Sequence, residues 1–347
     1  MKRHLLFLAA LLIVNLAASA QKKFSVYAVG FYNQENLFDT CHDEGKKDYE
    51  YLPNKGWNGM KYTNKLRNMS KALADMGTDV LPTVGCAFIG LSEVENHKVL
   101  DALVDQAPLK ARNMKYVHIE GPDRRGIDCA LLYNPSLFSV KNVKLLPYVQ
   151  ELAKDSAFFT RGFLTVRGEM AGDDVAVIVC HWPSRFSGPF YRESAARQVK
   201  VIKDSLLNVN QDMKIFVMGD MNDDPVNKSM HVYLQAKPEI SQVGAGDMYN
   251  PWYNVLAKEG KGTLFYSGNW NLFDQIVITP NLLNKDAKKK DYSSLKYWKS
   301  HIFRRDYLIQ QEGQYKGAPL RTTAGGRWLN GYSDHLPVVM YLVKEKK

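Results

Sequence analysis

Apolar residues along the chain fall into two kinds of run. Short, nearly continuous runs cover Phe24–Phe31, Ala87–Ser92, Cys129–Tyr133, Val175–Cys180, Ile215–Met218, Gln275–Thr279 and Leu336–Val343. These read as strands covered on both faces. Between them, Leu66, Met69, Leu73 and Met76 recur at steps of three and four, as do Ala195, Val199, Ile202 and Leu206. That spacing predicts helices with one buried stripe. The alternation predicts an α/β fold, a layered sandwich whose sheets are covered by helices. Two stretches show neither period: 141–161, and the long basic segment 280–331 with its Lys288-Lys289-Lys290 triplet. The second reads as a loop, and its size suggests a functional one.

The first twenty residues stand apart. Lys2 and Arg3 precede an apolar stretch from Leu5 to Leu16, and Ala18-Ser19-Ala20 follows. This is the pattern of an export signal, and the stretch is shorter than the roughly 20 residues a membrane-spanning helix needs. A mature chain beginning at Gln21 is therefore expected, exported to the periplasm or the extracellular medium. No repeat or Pro/Gly/Ser-rich linker divides residues 21–347, which are expected to form a single domain. The formal charge is +10, and removal of Lys2 and Arg3 lowers it to +8. An excess of that size favours polyanionic partners without naming one. Of the four cysteines, Cys86, Cys129 and Cys180 lie inside strand-like runs, where a buried thiol is expected, and no CxxC pair offers a zinc site.

Polar islands at the ends of the apolar runs carry the chemistry. Glu93 closes Ala87–Ser92, where a carboxylate can hold a hard cation, with Asn36 as an amide ligand and Asp334 as a second carboxylate. His181 leads into Trp182-Pro183-Ser184-Arg185, a proline-stiffened loop suited to presenting an imidazole and a guanidinium to phosphate. After Ile215–Met218, Asp220 and Asn222 would share one side if extension persisted, one handling water and the other an oxyanion. Asp274 and His335 open two further strands, and an Asp–His pair fixes a ring tautomer for acid–base work. His42, His97, His118, His231 and His301 lie outside these islands and read as structural or solvated. Each island alone reads equally as a turn or cap.

Taken in order, the islands resemble the endonuclease/exonuclease/phosphatase superfamily, the fold of pancreatic deoxyribonuclease and the apurinic endonucleases. The matching segments are Asn33-Gln34-Glu35-Asn36-Leu37-Phe38, Leu91-Ser92-Glu93-Val94-Glu95-Asn96 and Arg125-Gly126-Ile127-Asp128. His181-Trp182-Pro183-Ser184-Arg185, Gly219-Asp220-Met221-Asn222-Asp223, Phe273-Asp274-Gln275-Ile276 and Ser333-Asp334-His335-Leu336-Pro337 continue the series. The resemblance implies a four-layer α/β/β/α sandwich and a phosphoester hydrolase. It implies Mg²⁺ (or Mn²⁺) on Asn36 and Glu93 with Asp334 near, and catalysis by His181, Asp220, Asn222, Asp274 and His335. Asn33, Arg125, Asp128, Trp182 and Arg185 would contact substrate. Cys180 stands where many relatives have Asn, which removes one hydrogen bond beside His181.

Nucleic acid is the expected substrate, on the charge, the lysine triplet and the interleaved Tyr292, Tyr297, Trp298 and Tyr307. The alternatives are a phospholipid head-group diesterase of the sphingomyelinase kind, meeting a membrane surface, or a phosphatase of inositol or other small phosphoesters. A non-catalytic binding module should have lost some of Glu93, Asp220, Asn222, Asp334 and His335, and all are present. No obligate protein partner is expected.

Overall fold

The computed structural model describes residues 23–151, 158–286 and 288–346, so the expected export signal lies outside the described residues. The described residues form seventeen strands, β1 to β17 in chain order. A six-stranded sheet runs, edge to edge, β14 (Lys296–Ile302), β17 (Val338–Glu345), β1 (Phe24–Leu37), β2 (Cys86–Val94), β4 (Asp128–Tyr133) and β3 (Lys115–His118). A seven-stranded sheet runs β5 (Phe138–Leu146), β6 (Phe163–Met170), β7 (Asp173–His181), β8 (Lys214–Asp220), β13 (Asp274–Ile278), β10 (Met248–Tyr249) and β9 (Ala236–Lys237). Two small hairpins, β11–β12 (Leu264–Tyr266 and Asn269–Asn271) and β15–β16 (Thr323–Ala324 and Arg327–Trp328), complete the set.

Alternation along the strands builds the layers. Val29 and Phe31 of β1, Met340 and Leu342 of β17, Val177 and Val179 of β7 and Phe216 and Met218 of β8 fill one core between the sheets. Their neighbours point outward. Ala28, Tyr32 and Tyr341 pack beneath α1 (Gly59–Asp75) and α2 (His97–Val104). Ala176, Ile178 and Cys180 pack beneath α4 (Pro189–Val209). The result is the four-layer α/β/β/α sandwich. The sheets approach closely enough that a Cβ on Gly90 would lie 2.7 Å from the Met218 sulfur, so only glycine fits without displacing that side chain.

Each sheet has at its middle a parallel pair joined through a long helix, β1 to β2 across α1 and β7 to β8 across α4, and the short β9 and β10 form a further parallel pair at one edge. Their other neighbours run antiparallel. Ends of parallel strands and starts of their antiparallel partners therefore gather at one edge of the sandwich. That topology is why the polar islands sit where they do.

Three elements depart from the sequence reading. Segment 141–161 contains most of β5, an edge strand whose outer positions are polar, and β6 follows it. Segment 280–331 is not one loop, because Lys296–Ile302 forms the edge strand β14 on β17. Lys296 pairs with Val343 at the end of β17 remote from His335. The Lys288–Lys290 region therefore lies at the sandwich end opposite the polar islands, as does Tyr292, whose ring meets Phe24 at the start of β1. Tyr297 packs on Tyr249, Trp298 on Tyr341 and Tyr307 on Tyr332, so these rings do not form one stacking surface.

Candidate active site

Register assembles the centre. Asp220, last residue of β8, is paired laterally with His181 of β7 on one side and Asp274 of β13 on the other. From the opposing sheet, β1 and β2 each carry an irregularity at their final residues, between Asn33 and Leu37 and between Ser92 and Val94. Glu35, Asn36 and Glu93 there adopt left-handed backbone (φ 45°, 58° and 59°), and Asn222 does so across the cleft (φ 49°). Bulges and non-glycine left-handed residues cost energy and re-aim side chains. Here they turn Glu93 and Asn36 off the strand line and toward β8.

The side chains then meet. Asn33 donates its amide to Asp220 Oδ2 at 3.0 Å and to Glu93 Oε1 at 3.4 Å, and the Asn36 N–H donates to Glu93 Oε2 at 2.9 Å. His181 Nε2 lies 3.8 Å from Glu93 Oε1 and 3.7 Å from Asp220 Oδ2. From the other side His335 Nε2 lies 3.8 Å from Asp220 Oδ2 and 3.8 Å from Asp334 Oδ1. Its Nδ1 meets Asp274 Oδ2 at 2.6 Å. Glu93 and His335, 242 positions apart in the chain, thus flank the same carboxylate.

Burial sets the electrostatics. It pushes Asp220 up to about 7; His335 and the Asn222 N–H pull the other way, while Asp274 and Glu93 add to the rise. Burial also works against protonation of His335, but the carboxylates of Asp274, Asp334 and Asp220 outweigh it and raise its pKa well above that of a free imidazole. His181 behaves oppositely. Burial lowers it well below that range, and Arg161, Arg125 and His335 add to the effect.

The donor set fits a hard divalent cation. Glu93, His181 and Asp220, and again Asp220, Asp274 and His335, bring ligand atoms within 4.8 Å of one another. Clustered carboxylate oxygens suit an oxygen-seeking ion. Of the three expected ligands, Asn36 and Glu93 are adjacent, although the Asn36 side-chain oxygen accepts from Arg125. Asp334 lies 3.8 Å from His335 Nε2 and is paired with Arg321 at 2.8 Å.

Other expected contacts are placed differently. Asn222 does not continue the strand; its left-handed turn lets the side-chain amide donate to Trp182 O at 2.9 Å. The Trp182 ring is buried under α4, so only its backbone faces the centre. Both Asp128 oxygens are engaged, by His118 at 3.0 Å and by the Gly121 N–H at 3.0 Å, and brace the loop that carries Arg125. Arg185 bonds Asp224, Asn271 and Asn222 O and lies 4.4 Å over the Phe273 ring, which commits it to fixing loops.

Two cations went unread in the sequence. Arg161 bridges the sheets at the centre, bonding Asp123 at 3.0 Å and Trp182 O at 3.1 Å, and so shares that carbonyl with Asn222. Lys65 of α1 is fully buried, with Nζ 2.5 Å from both Thr322 Oγ1 and Tyr332 O. Burial lowers it to about 8 despite Glu35 nearby, and burial with Asp334 raises Glu35 to about 7. A lysine inside a helical stripe reads as solvated from sequence alone; Arg161 sits where no period was visible.

The family model described as endonuclease/exonuclease/phosphatase matches residues 28–344. Solved structures share the fold at low identity. One is an endonuclease/exonuclease/phosphatase family protein of Bacteroides thetaiotaomicron, 14% identical, covering 93% of this chain and 97% of that one with a TM-score of 0.54. The mannosyl-6-phosphatase of the same organism is 14% identical, with 91% and 99% coverage and a TM-score of 0.53. D. rerio TDP2, complexed with a single-strand DNA product, is 11% identical, with 92% and 99% coverage and a TM-score of 0.52. No curated protein matches the sequence. The chain belongs to the endonuclease/exonuclease/phosphatase family and is a metal-dependent hydrolase of phosphoester bonds.

Proposed function

We propose that the protein is an exported phosphodiesterase that hydrolyses nucleic acid strands by in-line attack of water. The observation that carries the reading is the meeting of Glu93, His181, Asp220, Asp274 and His335 around one cleft between the sheets. Glu93, with Asn36 beside it and Asp334 next to His335, would hold Mg²⁺ (or Mn²⁺), which would stabilise charge developing on the phosphoryl oxygens. Asp220 is a carboxylate whose affinity for a proton is raised by burial, the property needed to orient and deprotonate water. Asp274 accepts from His335 Nδ1 and holds Nε2 toward the reacting phosphorus as imidazolium. His181, kept neutral, offers Nε2–H as a hydrogen bond to the charge that develops on the departing oxygen, which takes its proton from solvent. One amide hydrogen of Asn222 is spent on Trp182 O, and the second is available to a phosphoryl oxygen.

Nucleic acid is supported by exposed Arg124 and Arg125 at one rim and by the Phe159 ring 5.5 Å from the Arg124 guanidinium. The fully exposed Phe186 beyond His181 adds a stacking face. The lysine triplet at the far end no longer contributes. A second reading, a small phosphomonoester, is favoured by a partly open cavity of about 580 Å³ whose lining includes Asp334. Purified protein supplied with Mg²⁺ or Mn²⁺ should cleave plasmid DNA, single-stranded DNA or RNA, and both EDTA and His335→Ala should abolish it. Cleavage of hexose phosphates with all nucleic acids intact would establish the second reading instead. Export is tested by N-terminal sequencing of the periplasmic or secreted form, which should begin at Gln21.

A further inference from the structure

The cavity beside Asp334 has a composition of its own. One wall is the β11–β12 hairpin, bearing Phe265 and the 66%-exposed Tyr266. The other is the turn 309–319, bearing Gln310, Gln314 and the 51%-exposed Tyr315. Both walls are braced. Phe265 packs edge-on against Trp270 at 5.2 Å, and Leu264 bridges directly to His335. The turn is closed by Gln310 N–H to Ala318 O at 2.8 Å and Gly317 N–H to Gln310 O at 2.8 Å. Arg321 and Asp334 complete the lining where it reaches the catalytic cleft.

Charge narrows what can enter. Arg321 lies 2.8 Å from Asp334 and 3.6 Å from Glu35, and buried Lys65 is electrostatically coupled to both carboxylates. Two carboxylates against two cations leave little net charge, so a second phosphate or an ammonium group finds no unmatched partner. What remains is ring faces, side-chain amides and hydroxyls within a space of about 580 Å³. Aromatic faces with a few polar groups recognise uncharged rings that carry hydrogen-bonding groups.

We propose that this cavity is the specificity subsite of the enzyme, receiving an uncharged polar ring joined to the scissile phosphate, seated between Tyr266 and Tyr315. Nucleobases and pyranose rings share that chemistry. The inference rests on the phosphoester-hydrolase reading of the adjoining cleft and adds the identity of the group beside the phosphate.

The test uses the purified protein with Mg²⁺ and the surface variants Tyr266→Ala and Tyr315→Ala, singly and together. Substrates are an oligonucleotide, the same strand with abasic positions, a hexose phosphate and ring-free glycerol phosphate. The double variant should lose about ten-fold in kcat/KM, mainly through KM, on the ring-bearing substrate, as removal of a stacking partner does. The matched substrate lacking that ring should change less than about two-fold. Loss on the normal but not the abasic strand identifies a base; loss on hexose but not glycerol phosphate identifies a sugar. Equal losses on every substrate, or none on any, overturn the subsite while leaving the hydrolase reading intact. If wild type hydrolyses none of the four and His335→Ala changes nothing, it is the hydrolase reading that fails. Unchanged circular dichroism of the variants excludes misfolding as the cause.

Discussion

Two histidines face Asp220 at nearly equal distance, 3.7 Å for His181 and 3.8 Å for His335, and their surroundings push them in opposite directions. His335 is backed by Asp274 at 2.6 Å and has Asp334 beside it, so its proton is retained. His181 is buried, Arg161 and Arg125 lie near it, and its Nδ1 has no hydrogen-bond partner among the described residues, so its charge is expelled. Distance to the shared carboxylate does not decide role; the second ring of neighbours does. One corner supplies a fixed positive charge, the other a neutral donor, as two steps of phosphoryl transfer require.

The comparison can be broken most severely at the charged corner. His335→Ala should lower kcat by about 10³- to 10⁴-fold, and Asp274→Asn by about 10²- to 10³-fold through loss of the negative charge that orients the ring and keeps it protonated, read in steady-state assays at saturating Mg²⁺. Chelation with EDTA should abolish turnover, and Mg²⁺ should restore it. His181→Gln should cost about 10²-fold, less for substrates with an acidic leaving group, because such an oxygen needs less stabilisation of the charge it carries away. If the loss is the same for nitrophenyl and alkyl esters, His181 is not the donor.

The same contrast predicts stability. His335 has a raised folded pKa, so its contribution is complete below pH about 6.5 and is lost as pH rises through the folded value. His181 has a lowered folded pKa, so the unfolded chain binds the extra proton and stability falls as pH drops below about 6.5. Urea denaturation across pH should show His335→Gln flattening the alkaline limb and His181→Gln the acidic one. The smallest effect should come from replacing Lys288, Lys289 and Lys290 with Gln, which should change nucleic acid cleavage less than about two-fold, since they lie at the opposite end of the sandwich. A large loss there would place substrate along the whole molecule.

Sequence reading found most of the inner strands because they are covered on both sides and hence continuously apolar; it missed β6, whose apolar run is interrupted by Thr165, Arg167 and Glu169. It missed β5 and β14 because edge strands carry polar residues on an open face, as Ser139, Lys141 and Lys299 do. The islands were legible because the topology brings strand ends to one edge. Their finer assignments were not: Trp182 and Asp128 occupy the right loops, but whether a side chain faces cleft or core depends on φ at single residues. Asn222 shows this, since its turn at φ 49° defeats the alternation that would have aligned it with Asp220. Arg161 and Lys65 act through partners more than twenty positions away, which no local pattern encodes.

His335 enters the centre at the end of an excursion tied to α1. Lys65 holds Thr322 and Tyr332, Asn68 holds the carbonyls of Asn330 and Gly331, and the chain crosses itself so tightly at Gly331 that a Cβ would fall 2.1 Å from Arg321 O. The helix therefore acts as a keel for the imidazole although it contributes no group to the chemistry. Heating that loosens α1 should silence turnover while both sheets are still folded, and Lys65→Met should widen the gap between inactivation and melting temperatures.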